Sequence, residues 1–127
     1  MEIKKIKSVY EDERGSITDI VEQVDFNGAT IILSKKGSTR GNHFHKKTIQ
    51  HLYVLSGKMK CLAQKPEEAV IQAIVEEGDL VSHELLESHS FEALSDTLFL
   101  VLSSGLRTGK DYEKDTYRLD VPLSDLI

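Results

Sequence analysis

The sequence contains one cysteine, Cys61, and no tryptophan among its 127 residues. A single thiol cannot form an intrachain disulfide, and its presence fits a reducing compartment. The apolar runs are short, such as Leu98–Leu102, which excludes a membrane-spanning helix. The N-terminal residues are charged and no apolar segment follows them, so we expect no signal peptide. Together these absences predict a cytoplasmic protein without a membrane partner.

The overall composition is that of an ordinary globular domain, with 39% hydrophobic and 29% charged residues. A chain of this length buries a core without cross-links, so we expect a single domain over residues 1–127. Cys61 lies in the strand-like run Lys58–Gln64, and we interpret it as a small core residue rather than a nucleophile. The lack of tryptophan removes the commonest platform on which a sugar ring stacks.

Acidic residues are absent from a long central stretch of the chain. Between residues 26 and 66 there is no Asp or Glu, whereas the rest of the chain carries all 21 acids. The eight bases of this stretch are Lys35, Lys36, Arg40, Lys46, Lys47, Lys58, Lys60 and Lys65. Concentrated positive charge attracts anions, but no nucleic-acid-binding signature accompanies it. We therefore expect a small phosphorylated or carboxylated ligand and no nucleic acid; a solvated basic face is the alternative.

Apolar residues recur with a period of two, which is typical of β-strands. Turn residues such as Gly, Asn and Pro separate the runs. The runs are Ile3–Tyr10, Ser16–Val21, Thr30–Ser34, Gln50–Ser56, Met59–Gln64, Ala69–Val75, Leu80–His83 and Thr97–Ser103. This pattern predicts an all-β fold of roughly eight to ten strands, either a sandwich or a jelly-roll barrel. We expect the more polar stretch 106–127 to wrap the barrel or to pair with another subunit.

The candidate functional residues begin with two histidines. His43 and His45 are two residues apart, so on an extended segment both side chains project from one face. Gln50 follows, and His89 comes after the turn at residues 78–79. If these side chains meet, they form either a divalent-metal site of His43, His45, Gln50 and His89 or an acid–base site. Exposed loop histidines, or polar residues hydrogen-bonded inside a barrel, are the structural alternatives.

The two chemistries place different demands on the site. Gln50 offers a neutral oxygen, so a bound Zn, Ni, Mn or Fe ion would need an anion to complete its ligands. Without a cofactor, a histidine would remove a proton next to a ketone and a second imidazole would return it. Arg40 and Gln50 would hold the enediolate. We therefore assign His43, His45 and Arg40 as catalytic, and Arg40, Lys46 and Gln50 as substrate-binding.

The spacing of these residues resembles the first motif of the cupin superfamily, G-x5-H-x-H-x3–4-E-x6-G. Gly37, His43, His45 and Gly57 match it, and Gln50 replaces the acid. The second motif, G-x5-P-x-G-x2-H-x3-N, is matched at Gly78 and His89, whereas Glu84, Leu86 and Ala93 occupy its other positions. The resemblance implies a double-stranded β-helix, the RmlC-like jelly-roll barrel, with His43, His45, Gln50 and His89 at its mouth. The resemblance to cupins of this size also implies a homodimer.

A narrower resemblance starts at Arg40. The run Arg-Gly-Asn-His-Phe-His-Lys over residues 40–46, followed by Gln50, is similar to that of the WxcM-like sugar-nucleotide 3,4-ketoisomerases. Residues 99–104 and 111–118 are similar to the C-terminal end of that family. This implies an isomerase or epimerase-like enzyme of bacterial surface polysaccharide biosynthesis, which acts on a nucleotide sugar without a metal. Arg40, Lys46 and nearby lysines would meet its phosphates.

The chain departs from that family at two places, so the particular reaction stays open. Phe44 stands where the family has Ala, and no tyrosine lies in the strand at residues 30–32. A metal-dependent oxygenase or isomerase, and a non-catalytic ligand-binding cupin, are therefore the alternatives. His51 and His83 receive no role. His51 alternates with Gln50 and should face outward, and His83 would lie at the rim.

Overall fold

Strands make up nearly all the regular structure of the described residues, 1–105 and 113–127, in this computed structural model. They are β1 Glu2–Lys5, β2 Tyr10–Asp12, β3 Gly15–Ile17, β4 Gly28–Ser34, β5 Thr39–Phe44, β6 Ile49–Ser56, β7 Lys58–Gln64, β8 Ile71–Glu76, β9 Asp79–His83, β10 Ser88–Ala93, β11 Thr97–Ser104 and β12 Tyr117–Arg118. A 3-10 turn covers Leu123–Leu126. Within these residues, no helix has the length and apolar character needed to cross a membrane. The predicted all-β class is confirmed.

Ten of the strands form two antiparallel five-stranded sheets, in the orders β1-β9-β6-β11-β4 and β12-β5-β10-β7-β8. The pairs are nested along the chain: β4 pairs with β11, β5 with β10, β6 with β9, and β7 with β8. Strands β2 and β3 form a separate hairpin. This nesting of antiparallel pairs over two sheets is the jelly-roll arrangement, so the predicted double-stranded β-helix is confirmed.

The apolar core lies between the two sheets and is built from the inward residues of both. Its buried members are Leu52, Val54, Met59, Cys61, Val75, Val81, Phe91, Phe99 and Val101. Cys61 is fully buried, as the sequence predicts. Burial raises the pKa of its thiol to about 12, so this cysteine is a packing residue rather than a nucleophile.

The strands that no predicted apolar run covers are β5, β10 and β12. Strand β10 carries Ser88, His89 and Ser90, which are buried although they are polar, so no apolar alternation marks it. Strand β12 has only two residues, and it pairs with β5 at the edge of the sheet. The pairing of β12 with β5 and the burial of Leu123 hold the C-terminal residues 113–127 against the barrel. Residues 106–112 of the predicted C-terminal stretch lie outside the described residues.

Candidate functional site

Three of the predicted residues, His43, His45 and His89, meet at one end of the barrel. His43 and His89 are direct partners on the paired strands β5 and β10. The ring centroids lie 4.8 Å apart for His43 and His45, 4.8 Å for His43 and His89, and 5.4 Å for His45 and His89. The three side chains are 8%, 4% and 1% exposed. One ring nitrogen from each lies within 4.8 Å of the others, so a single small group or ion reaches all three.

A local distortion of β5 sets the direction of these histidine side chains. Gly41 has φ +96° and Asn42 has φ 57°, both in the left-handed region, and the β5–β10 register shifts between His89 and Ser90. A Cβ atom on Gly41 would lie 2.7 Å from the carbonyl oxygen of His89. Only glycine therefore permits the two strands to come this close. Such irregularities redirect side chains near functional sites.

The hydrogen bonds of His45 and His89 fix which ring nitrogen carries the proton. Nδ1 of His45 lies 2.8 Å from the carbonyl oxygen of Asp115, and Nδ1 of His89 lies 3.1 Å from that of Glu87. A carbonyl only accepts hydrogen bonds, so both Nδ1 atoms are protonated. In a neutral ring the lone pair is then on Nε2. Both Nε2 atoms are buried and have no hydrogen-bond partner among the described residues.

A fourth imidazole, His83, belongs to the same cluster although the sequence assigns it no role. Its ring stacks on that of His89 at a centroid distance of 4.4 Å and an angle of 20°. It is 4% exposed, so the expected place at the rim is wrong. Nδ1 of His83 donates to the carboxylate of Glu87 over 3.1 Å, and its Nε2 is buried without a partner in the described part of the chain.

Burial and hydrogen bonding shift the pKa values of His83, His89 and Glu87. Desolvation lowers the pKa of His83. Desolvation, together with the neighbouring histidines His83, His43 and His45, holds the pKa of His89 well below its usual range. Burial alone would raise the pKa of Glu87, but hydrogen bonds from His83 and the Met1 amine outweigh it and lower the value to about 2. At neutral pH the Glu87 carboxylate therefore lies beside the uncharged rings of His83 and His89.

A cavity of about 560 Å³ opens beside His43, with a polar edge and an apolar floor. Arg40, Gln50, Thr39 and Arg118 supply polar groups, and the floor is formed by Ile32, Leu52, Phe91, Phe99 and Val101. The guanidinium of Arg40 donates to Ser34 Oγ and to the carbonyl of Leu33, and that of Arg118 donates to the Glu113 carboxylate. Two cations beside an apolar pocket suit an anionic ligand with a carbon skeleton.

The remaining predicted residues are placed differently from one another. Gln50 and Arg40 line the cavity with His43, whereas Lys46 is not among its described lining residues. Lys46 Nζ instead lies 4.3 Å from the ring centroid of Tyr117, which stacks on Phe44. His51 faces away from the cavity, as predicted, and its Nδ1 contacts Ser82 Oγ. Of the basic stretch, Arg40 is the member found in the described cavity lining.

The sequence assigns no role to four residues of this region, His83, Glu87, Arg118 and Asp115, although the last two lie in the stretch 111–118 that resembles the C-terminal end of the ketoisomerases. Arg118 reaches the cavity because β12 pairs with β5, which sets Arg118 opposite His43. Glu87 and Asp115 contact imidazoles through main-chain carbonyls. Every residue has a carbonyl, so no residue type marks such contacts.

The residues present fit a divalent metal ion. Metal-bound histidines donate their second N–H to a carbonyl or carboxylate, and His45 and His89 are held in this way with Nε2 left as the ligand atom. His43 offers a third nitrogen within 4.8 Å. Two nitrogens on one tetrahedral zinc ion are about 3.4 Å apart, so binding would draw the rings together.

The family model of the polysaccharide biosynthesis C-terminal domain matches residues 10–117. The chain belongs to this family. No curated protein matches it. Among solved structures, this family member is similar to the capsular polysaccharide assembling protein CapF from Staphylococcus aureus, with 25% identity and a TM-score of 0.67. The match covers 91% of this chain and 33% of CapF, so the chain spans about a third of that protein.

The family member is also similar to a 3,4-ketoisomerase and, in fold, to an epimerase. It shares 28% identity with a double mutant of the 3,4-ketoisomerase QdtA from Thermoanaerobacterium thermosaccharolyticum in complex with TDP, with a TM-score of 0.71 and coverage of 93% and 86% of the two chains. The RmlC epimerase of Mycobacterium tuberculosis has a TM-score of 0.77 at 14% identity, over 92% and 67% of the chains. The expected RmlC-like cupin fold and the resemblance to ketoisomerases are confirmed.

Proposed function

We propose that this protein is a sugar-nucleotide isomerase or epimerase of bacterial surface polysaccharide biosynthesis. The observation that carries the proposal is the cavity, in which a buried imidazole, that of His43, lies beside Gln50, Arg40 and Arg118. A polysaccharide biosynthesis family and a 3,4-ketoisomerase in complex with TDP support a nucleotide sugar as the ligand. Arg40 and Arg118 are the groups that would meet its phosphates.

The chemistry follows from the positions of these side chains. His43 removes a proton from the carbon next to the substrate ketone, and the electron pair of that C–H bond moves to the carbonyl oxygen. Arg40 and Gln50 donate hydrogen bonds to the enediolate that forms. A proton then returns to carbon, with His45 as the second imidazole, and the product is an isomer of the substrate. No oxidant is consumed.

A metal-dependent enzyme is the second proposal, and the Nε2 lone pairs of His45 and His89 favour it. His43, His45, His89 and Gln50 would hold a Zn, Ni, Mn or Fe ion, and the ion would polarise the ketone oxygen of the substrate. The cavity and its two arginines would keep the same role in binding. An oxygenase and a non-catalytic ligand-binding cupin are the further alternatives for this site.

The decisive experiment follows proton exchange in deuterium oxide. The purified protein is incubated with TDP-4-keto-6-deoxyglucose, the ligand bound by QdtA in a related structure, and sugar protons are observed by NMR. We expect deuterium next to the ketone, and a loss of at least about 100-fold in rate for His43→Ala. His51→Ala is the matched control and should keep the rate. Binding without exchange by the wild type would favour a ligand-binding cupin.

Metal content separates the two enzymatic proposals. Elemental analysis of protein purified without an affinity tag is compared with that of His45→Ala, and exchange is assayed after chelation and after return of each metal. Near-stoichiometric metal that is lost in His45→Ala, with exchange that needs it, supports the metal enzyme. Full exchange in the metal-free protein supports acid–base catalysis by the histidines alone.

We further propose that the protein is a cytoplasmic homodimer. The dimer is supported by exposed apolar side chains on β4, a strand at the edge of its sheet. An open edge strand can pair with another chain, and a contiguous exposed apolar patch marks an interaction surface.

A further inference from the structure

Two buried acids lie beside the histidine cluster, and neither lines the cavity. Asp115 is 2% exposed and Glu87 is 1% exposed. Carboxylates are rarely buried unless several donors hold them. Both residues share one arrangement: the main-chain carbonyl accepts a hydrogen bond from a histidine of the site, and the carboxylate accepts hydrogen bonds that anchor that carbonyl.

Asp115 ties the C-terminal segment to the connection between β5 and β6. Its carboxylate accepts from the main-chain N–H groups of Lys46 and Lys47, at 3.1 and 2.9 Å, and from Thr48 Oγ1 at 2.8 Å. Its carbonyl accepts from Nδ1 of His45 at 2.8 Å. The three carboxylate bonds go to the residues that directly follow His45, so they fix the distance between the carbonyl and the ring.

Glu87 holds the ring of His89 by the same arrangement of an accepting carbonyl and an anchored carboxylate. Its carbonyl accepts from Nδ1 of His89 at 3.1 Å. Its carboxylate accepts from Nδ1 of His83 at 3.1 Å, from the main-chain N–H of Glu84 at 3.3 Å and from the Met1 amine. Because His83 is stacked on His89, this one residue holds the ring of His89 at its edge and, through His83, across its face.

We propose that Asp115 and Glu87 are positioning residues that set the tautomers of His45 and His89. Their carbonyls hold the proton on Nδ1, so the Nε2 lone pairs face the centre of the cluster. A neutral imidazole in water prefers the proton on Nε2, so the tautomer seen here needs these acceptors. What the lone pairs are used for rests on the proposed function, since they would bind a metal ion or accept a substrate proton. The assignment of the tautomers does not depend on the proposed function.

The direct test is ¹⁵N NMR of the imidazoles in the metal-free full chain, at a pH where the rings are neutral. We expect the Nδ1–H form for His45 and His89 in the wild type. Asp115→Asn should move His45 towards the Nε2–H form and leave His89 unchanged, and Glu87→Gln should do the reverse. Thr48→Val, which removes one bond to Asp115, is the milder variant and should shift His45 by less.

Asp79→Asn is the matched control. Asp79 is 1% exposed and its carboxylate accepts from Lys5 Nζ and the N–H of Glu76, with no hydrogen bond to a histidine in the part of the chain that the structure describes. It should lower stability without changing any tautomer. An Nε2–H form of His45 or His89 in the wild type would overturn the proposal. Unchanged tautomers in both site variants, or the same change in Asp79→Asn, would also overturn it.

Zinc affinity links the tautomers to the proposed site. We expect Asp115→Asn and Glu87→Gln to weaken Zn²⁺ binding by about 10–100-fold and Asp79→Asn to leave it unchanged, as measured by competition with a chelator. A wild type that binds no zinc but shows the Nδ1–H tautomers would contradict the metal enzyme and keep the positioning role. Site variants with altered tautomers and unchanged zinc affinity would limit that role to acid–base chemistry.

Discussion

Two glycines bound the histidine segment, Gly37 and Gly57, and they differ in what surrounds them. Both have a positive φ, +88° and +94°, which L side chains rarely adopt. Apart from its two chain neighbours, no described residue lies within 4 Å of a Cβ built on Gly37. A Cβ on Gly57 would lie 2.4 Å from the carbonyl oxygen of Asp96 and 2.7 Å from the Cα of Thr97. Gly37 is therefore required for its backbone conformation alone, and Gly57 also for space.

This difference predicts unequal effects of the same substitution. Gly37→Ala should lower the free energy of unfolding by about 1–3 kcal/mol, the cost of a left-handed conformation. Gly57→Ala should lower it by about 1–3 kcal/mol more, because the backbone of residues 96–97 must move. Urea unfolding of both variants measures the difference. Equal losses would show that the close approach at Gly57 relaxes without cost.

Among the elements, β4 carries exposed apolar side chains on its outer face. Ile31 and Leu33 are 58% and 52% exposed, and their partners on β11 are Leu100 and Leu98. On β8, an edge strand of the other sheet, the exposed Ile74 is instead paired with Lys60. The apolar face is thus continuous on the β4 side and interrupted by charge on the β8 side.

We therefore expect the proposed dimer to form through β4. Leu33→Glu should convert a dimer to a monomer, because it places a charge on the apolar face. Ile74→Glu, at a site 50% exposed, is the control and should leave the dimer intact. Light scattering coupled to size exclusion gives the mass of each. A monomeric wild type, or dissociation by Ile74→Glu alone, would contradict this interface.

At the scale of the whole molecule, the buried histidines make stability depend on pH. The folded pKa values of His83 and His89 lie below the usual 6.5. The unfolded chain then binds more protons than the folded one once the pH falls below about 6.5. The Glu87 carboxyl, whose pKa is lowered from 4.5 to about 2, acts in the same direction between those two values.

The metal-free protein should therefore lose stability as the pH falls from 7 to 5. The expected slope is up to about 1.4 kcal/mol per pH unit for each histidine that stays neutral in the folded state. Denaturant unfolding at a series of pH values measures it. His83→Phe keeps a flat ring against His89 and removes one titrating group, so its slope should be smaller. An identical slope in that variant would exclude His83 as a contributor.

The parts of the fold that can be predicted are the strands whose own residues alternate between apolar and polar. The period-two runs locate strands such as β6, β7 and β11 to within one residue, because alternating burial selects alternating apolar residues. Strand β10 escapes this rule, since its buried residues include His89 and Ser90. Polar residues of the site occupy buried positions on β10 that apolar core residues would otherwise fill, so the strand shows no apolar alternation.

The sequence by itself determined the all-β class and the burial of Cys61, and its resemblance to the cupin motifs implied the jelly roll and the meeting of His43, His45 and His89. Strand periodicity and turn residues act over a few positions, so they are readable along the chain. Only the tertiary structure decided that His83 stacks behind the site, that Arg118 joins Arg40 at the cavity, and that Asp115 and Glu87 orient the rings. The hydrogen bond between Asp115 and His45 joins residues 70 positions apart and uses a main-chain carbonyl. It forms only when the chain has packed, and because every residue has a carbonyl, no residue type predicts it.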